Sequence, residues 1–353
     1  MPTGAGVGRV GVSALLGIAQ ETTLGTFVTA TTYLPFVSES LNYTREKILV
    51  DELTGTRNSQ RQFQGVAKVE GSVELYFNPQ SDFCVFLLKH AMGGTVASTT
   101  TPTTTSTGRI HTLNEGDMDN NDSSVSASDT PSLSLWVRRG QTNTGAWGFF
   151  GCRVNQLTLS GEIGQPVKMT AEIVGISASL TSYAPPSVGF PSNTPVIFNG
   201  VSIREAGTIG SAPSATADIF QSFEFTINNN LQSDDSSYAL GTHTMMTLPP
   251  ARRDVTLKLS QRFDTQTAWQ KFVDNTVSAI DILLDTPNTM TADAGATTYS
   301  ARVRLQTCVW ESAQPNVGDP GIITHEINAK AYQADTSTNY AVQMVVTNIT
   351  NGY

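Results

Sequence analysis

Apolar side chains occupy every second position between residues 68 and 77. Val69, Gly71, Val73, Leu75 and Phe77 alternate with Lys68, Glu70, Ser72, Glu74 and Tyr76. That period predicts a strand with one face in a core and the other in water. Asn78-Pro79 then favours a helix start, Asn as the cap and Pro at the first helical position. Phe83, Phe86, Leu87 and Ala91 form one helical stripe, which Met92-Gly93-Gly94 ends. The succession returns downstream. Val255, Leu257 and Leu259 alternate with Asp254, Thr256, Lys258, Ser260 and Arg262, and Phe263-Asp264 leads into a helix carrying Trp269, Phe272 and Val273. A constant offset of 186 residues superposes the two stretches without gaps and places Leu41-Asn42 on Ile227-Asn228. One offset for strand, long connection, strand, cap and helix predicts an internal duplication.

Further alternating runs predict strands at 36–43, 133–137, 146–150, 154–160, 167–175, 195–203, 220–228, 280–284, 302–310, 322–332 and 340–348. The expected fold is mainly β (α+β): two related β-sandwich or barrel units, each with one packed helix. Residues 1–35 read as an extended arm and 36–180 as the first unit, interrupted by a surface insertion at 93–131. A Ser- and Pro-rich linker at 181–194 precedes the second unit, 195–353. Between the paired strands lie connections of equal length, 44–66 and 230–252. The first, with Arg45, Glu46, Lys47, Asp51, Glu52, Arg57 and Arg61, reads as a long polar loop, and such loops in compact domains serve a function or are disordered.

Charge narrows the function. Thirty acidic against 21 basic residues give a net charge of −9, too few cations to wrap the outside of a nucleic acid. The same balance leaves room for a surface past which DNA slides without sticking, since like charges repel. Cys84, Cys152 and Cys308 fit no zinc or redox spacing and read as small buried hydrophobes. His90, His111, His243 and His325 stand singly; His90 sits where it would favour the dipole of a helix end. Residues 117–122 lack the Gly and Glu of a calcium loop, and the glycines at 4–8 follow no strand. No apolar run reaches the length of a membrane span. The expectation is a protein that is not an enzyme and holds no metal or cofactor.

Two stretches carry a resemblance. Ala19-Gln20-Glu21-Thr22-Thr23-Leu24-Gly25-Thr26-Phe27, with Leu34-Pro35-Phe36 and Glu39-Ser40-Leu41-Asn42 after it, resembles the opening of bacteriophage tail tube proteins, in which an E-T-x-x-G-T stretch precedes the first tube strand. Phe150-Gly151-Cys152-Arg153-Val154-Asn155-Gln156-Leu157 and Val167-Lys168-Met169-Thr170-Ala171-Glu172 are similar to the same group. The resemblance implies a structural virion protein that stacks hexameric rings, or trimeric rings where the tube domain is duplicated, around a DNA channel. It also implies assembly in the host cytoplasm and partners in the tape measure, tail terminator and baseplate proteins. On that reading Lys68, Glu70, Ser72, Glu74, Asp254, Thr256, Lys258, Ser260 and Arg262 face the lumen and sum to neutrality. The 44–64 loop would reach the adjacent ring. Rival readings are a distal tail or capsid decoration protein, or a two-domain carbohydrate-binding or adhesin protein.

Overall fold

The computed structural model describes residues 14–30, 32–50, 52, 57–58, 61–93, 96–100, 108–116, 132–140, 146–181, 194–215, 217–290, 298–315, 317, 321–333 and 340–350. In chain order the strands of the first half are β1 (Leu15–Gln20), β2 (Thr32–Leu34), β3 (Ser38–Glu39), β4 (Asn42–Val50) and β5 (Arg61–Tyr76), followed by helix α1 (Asp82–Met92). Then come β6 (Val96–Thr100), β7 (Arg109–Asn114), β8 (Leu133–Arg138), β9 (Ala146–Glu162), β10 (Lys168–Gly175) and β11 (Ser177–Thr181). The second half holds β12 (Val201–Ala206), β13 (Ala217–Asp218), β14 (Phe220–Asn228), β15 (Asp254–Arg262), helix α2 (Thr267–Val273), β16 (Val277–Thr289), β17 (Thr298–Ser312), β18 (Thr324–Ala331) and β19 (Val342–Asn348). The mainly-β class expected from the alternation holds.

The central feature is an antiparallel run, β5–β10–β9–β14–β15–β18, that crosses from one half of the chain to the other. Register aligns its side chains into rows. Leu75, Met169, Leu159, Phe225, Leu257 and Ala329 stand side by side, and so do Val73, Ala171, Leu157, Ile227, Val255 and Ala331. All twelve are buried. Successive residues of a strand point to opposite faces, so the intervening positions form a second, polar face. A one-residue slip at any strand would turn its apolar set into water, which is why one register wins.

Strands β9 and β17 are the two hubs. The first part of β9 lies between β8 and β11, and its last part lies between β10 and β14. In the same way, β17 lies between β16 and β19 in its first part and beside β18 in its last. Strand β1 flanks β8 as β12 flanks β16. The 186-residue offset places Leu15–Gln20 on Val201–Ala206.

Helix α1 starts later than Asn78-Pro79 suggests. The Asn78 side chain accepts the Gln80 N–H at 2.9 Å, making a turn, and the helix begins after Ser81. Gly93 closes it in the left-handed conformation at φ 65°, its N–H donating to Lys89 O. Phe83, Leu87 and Ala91 are buried, and so are Val85 and Leu88 on other faces. His90 is 2% exposed, and burial pushes it down to about 3. It is therefore neutral and does not complement the helix dipole, as its position alone suggested. Cys84, Cys152 and Cys308 are free and buried, and burial raises Cys84 and Cys308 to about 12.

Several sequence expectations change. Residues 15–20 are a core strand, with Leu16 and Ile18 fully buried, and not part of a loose arm. The E-T-x-x-G-T stretch has a physical role there. The Glu21 carboxylate is buried and accepts from Gly25 N–H (2.9 Å), Ser134 Oγ (2.8 Å) and Gly151 N–H (2.8 Å). It thereby ties the turn after β1 to β8 and β9. The 93–131 insertion is not confined to the surface: β7 pairs with β19 and buries His111 and Leu113. Residues 177–181 are strand β11 against β9, so the first unit's sheet runs up to the start of the expected 181–194 linker. Strands expected at 146–150 and 154–160 are one strand. The glycines at 4–8, the acidic 117–122 stretch and most of the 181–194 linker fall outside the described residues.

Phe225 is fully buried in the middle of the shared row. Phe225→Ala is expected to cost about 3–5 kcal/mol. Because the row spans both halves, thermal unfolding followed by circular dichroism should remain one transition at lower temperature. Two separated transitions would show that the halves unfold independently.

Candidate functional site: a polar sheet face and its open edges

The polar face of the six-stranded run gathers every lumen candidate named from sequence. Lys68, Glu70, Ser72 and Glu74 lie on β5; Asp254, Thr256, Lys258, Ser260 and Arg262 lie on β15. Four strands separate or flank them and add residues that the two-strand reading missed. Glu74, Thr170, Thr158, Thr226, Thr256 and Lys330 make one row, and Tyr76, Lys168, Ser160, Glu224, Lys258 and Asn328 make the next. Thr158 and Thr226 join their hydroxyls at 3.1 Å across the boundary between halves. The missing signal was pairing order, since alternation alone does not say that β10, β9, β14 and β18 share this sheet.

Charge on this face is arranged in pairs. Lys168 meets Glu74 at 2.7 Å, Lys258 meets Glu224 at 2.9 Å, Lys330 meets Asp254 at 2.7 Å, and Lys68 meets Glu70. Lys168 holds the Glu74 carboxyl below the usual carboxylate range, and Lys330, aided by Asn230, does the same for Asp254. The carboxylates in return raise Lys168, Lys258 and Lys330. Glu162, Glu172 and Glu326 are exposed beyond the pairs, with Arg262 as the counterpart. Counted over all six strands, five cations face seven carboxylates, so the face is weakly acidic where the two-strand count was neutral.

The run has open edges. Residues 37–42 bond to β5 on one side, through Val37 N–H to Glu74 O (2.8 Å) and Ser40 N–H to Ser72 O (2.9 Å). Gly71 allows this approach: a Cβ there would stand 2.5 Å from Ser40 O. No described strand pairs with the other side of 37–42. There the Glu39 carboxylate accepts the Leu41 N–H, and Arg139 bonds both Glu39 and Leu41 O. Charged side chains at an edge discourage unwanted pairing. At the other end, residues 310–312 of β17 extend past β16 and pair only with β18 among the described strands.

The expected polar loop at 44–64 is a β-hairpin. Strand β4 pairs with β5 from Asn42↔Glu70 out to Val50↔Arg61, placing Arg45, Glu46 and Lys47 on one arm and Arg61 at the start of the other. Glu52 and Arg57 lie in the connection, and Asp51 is outside the described residues. Both faces of the arm are in water, so no apolar alternation marked it as strand. Ile48 and Phe63, paired across the arm, are each 53% exposed. The matching connection, 230–252, takes another course. It folds back and braces the hairpin base: Ala67 N–H donates to His243 O at 2.7 Å, and the Tyr238 hydroxyl donates to Ala67 O at 3.2 Å.

Helix α2 also departs from expectation. Trp269 and Phe272 are each 39% exposed and Val273 52%, so the stripe predicted to pack is only partly covered. No cluster of three or more metal-ligating side chains occurs among the described residues, and no described helix is long and apolar enough to cross a membrane.

A continuous sheet with a charge-paired face, open edges and a projecting arm belongs to a protein that assembles. A family model described as phage tail tube protein matches residues 11–331. The chain belongs to the phage tail tube protein family. No curated protein matches it. Membership makes this tail tube chain a structural component of the virion tail that self-assembles into a tube. The matched span runs from before β1 to the end of β18, so it includes both hubs and both open edges.

Glu74 and Asp254 give a check on the ion pairs of the polar face. A carboxylate lowered on folding adds stability above its unfolded value, about 4, and loses it as pH falls through the folded value. Replacing Glu74 by Gln and Asp254 by Asn should lower the unfolding free energy measured by urea denaturation near neutral pH, by under about 1 kcal/mol per exposed pair. The difference should shrink below about pH 4. A difference constant with pH would mean that packing, not charge, was lost.

Proposed function

We propose that this chain closes into rings of three copies, that the rings stack, and that the polar face of the six-stranded run lines the channel through which DNA is delivered. One observation carries the reading. The β9–β14 joint inside the chain uses one edge of each half and leaves the outer sides of the corresponding segments, 37–42 and 310–312, without a partner among the described strands. Strand β14 corresponds to the segment ending at Leu41-Asn42, and β17 corresponds to β9. The joint that fuses the halves can therefore recur between copies, head to tail. A heterologous contact repeated at a fixed rotation closes into a ring. The family resemblance implies six units per ring, hence three duplicated chains.

Two units, 36–180 and 195–353, each contribute three strands to the wall. The charge pairs suit a channel lining: each lysine of the face is matched by a carboxylate, leaving no field of free cations to hold phosphates. The 44–64 hairpin is the inter-ring arm. Its exposed Ile48, Leu49 and Phe63 are apolar side chains on a projecting element, which marks a contact surface. Tape measure, terminator and baseplate proteins are the expected partners at the tube's ends and interior, and assembly takes place in the host cytoplasm.

Electron microscopy of purified protein tests the assembly. Rings or hollow tubes are expected. Deleting residues 44–64 should give folded subunits that form single rings without stacking; normal tubes from the deletion would remove the arm from the inter-ring contact.

Charge release tests the lining. Tubes carrying Glu74→Gln, Glu224→Gln and Asp254→Asn free Lys168, Lys258 and Lys330. They are expected to bind short duplex DNA with a log–log salt slope of about −3, roughly 0.9 per freed cation. The parent tubes should bind none under the same conditions. Equal behaviour of both would place this face away from the channel.

A further inference from the structure

Helix α1 shows how a helix of this fold is seated at a joint. Besides its own half, it is held by residues of the other half. Asn229, next after β14, donates to Ala91 O and Val154 O at 3.0 Å each, and Arg253 donates to Met92 O at 3.1 Å. At the N-terminal end of α1, Asn348 at the end of β19 donates to Pro79 O at 3.2 Å, and Thr350 donates to Asp82. The seat thus consists of the residue after the joining strand and the end of the strand flanking the hub. Helix α2 lies against hub β17 as α1 lies against β9, yet among the described residues no such seat covers it. Trp269, Phe272, Val273 and, at the start of β16, Val277 remain 39–52% exposed.

The first half carries the equivalent seat, empty. Tyr43 lies 186 residues before Asn229, and β11 flanks β9 as β19 flanks β17. Between them is a cavity of about 310 Å³, lined by Leu41, Tyr43, Trp147, Ala178 and Leu180 with Arg139 at its side. Leu180 is 71% exposed. Where the seat of α1 is polar, this one is apolar and aromatic, as is the stripe on α2. Asp264 and Asp274 flank α2, while Arg139, paired to Glu39, lines the cavity and Arg45 donates to the Tyr43 hydroxyl at 3.2 Å.

We propose that the α2 stripe of one copy docks in the Tyr43–Trp147–Leu180 cavity of a second copy, beside the strand joint between them. The proposal rests on the ring reading and names the apolar contact that holds neighbours within a ring. It is a heterologous contact, so each copy gives its helix to one neighbour and its cavity to another.

Two single variants at exposed positions test it, Phe272→Glu and Leu180→Glu, with circular dichroism as the check on folding. Each alone should sediment as a monomer at concentrations where the parent forms rings. Mixed in equal amounts, they retain one intact helix and one intact cavity between them and should give a one-to-one complex that grows no further. As a second measurement, Val273→Cys and Leu180→Cys proteins should form a disulfide-linked pair only when mixed, the three native cysteines being buried. Rings from either glutamate variant, no complex in the mixture, or self-pairing of the Leu180→Glu protein would overturn the docking while leaving the ring reading in place. Absence of rings from the parent would instead overturn the ring reading.

Discussion

Everything in this structure depends on the antiparallel pairing of β14 with β9. It carries the apolar rows from Leu75 to Ala329 and from Val73 to Ala331 without a break between the halves. A sheet interrupted there would expose Leu157, Leu159, Phe225 and Ile227 at two raw edges. Backbone groups on those edges would lose their partners as well, and unpaired edges invite aggregation. The joint therefore makes one core of two similar halves.

The charge pattern is set inside each half and carried across the joint as one face. The first half places β10 beside β5 and the second places β18 beside β15, so Lys168 reaches Glu74 and Lys330 reaches Asp254. Within the second half Lys258 meets Glu224 across β14 and β15. Exposed pairs like these add little stability. Their effect is on the field above the sheet, which holds paired charges and a small acidic excess. A polymer of phosphates moving past such a surface meets neither strong attraction nor a steep barrier.

Sequence similarity and structural fate also separate here. Segments 44–66 and 230–252 have equal length and follow equivalent strands, yet one projects as a hairpin and the other folds back to brace it through Ala67. Helices α1 and α2 diverge in the same way: one is enclosed and the other keeps Trp269 and Phe272 partly exposed. In both cases the first half's element is shaped by contact with the second half.

The alternation of apolar and polar residues by itself determined the mainly-β class, most strand positions and the faces of β5 and β15, because burial of one strand face is a local, period-two property. It also placed Lys68 to Glu74 and Asp254 to Arg262 on the polar faces of β5 and β15. Tertiary structure alone decided which strands are neighbours, and with that the charge partners of Lys168 and Lys330. It decided that the solvated 44–64 stretch is strand, since an arm wet on both faces carries no alternation to read. It decided that His90 is neutral, since its surroundings and not its helix position set its charge. And it decided that Trp269 and Phe272, whose spacing matches the buried stripe of α1, stay 39% exposed: spacing says which side of a helix is apolar, and only the arrangement of the whole chain says how far it is covered.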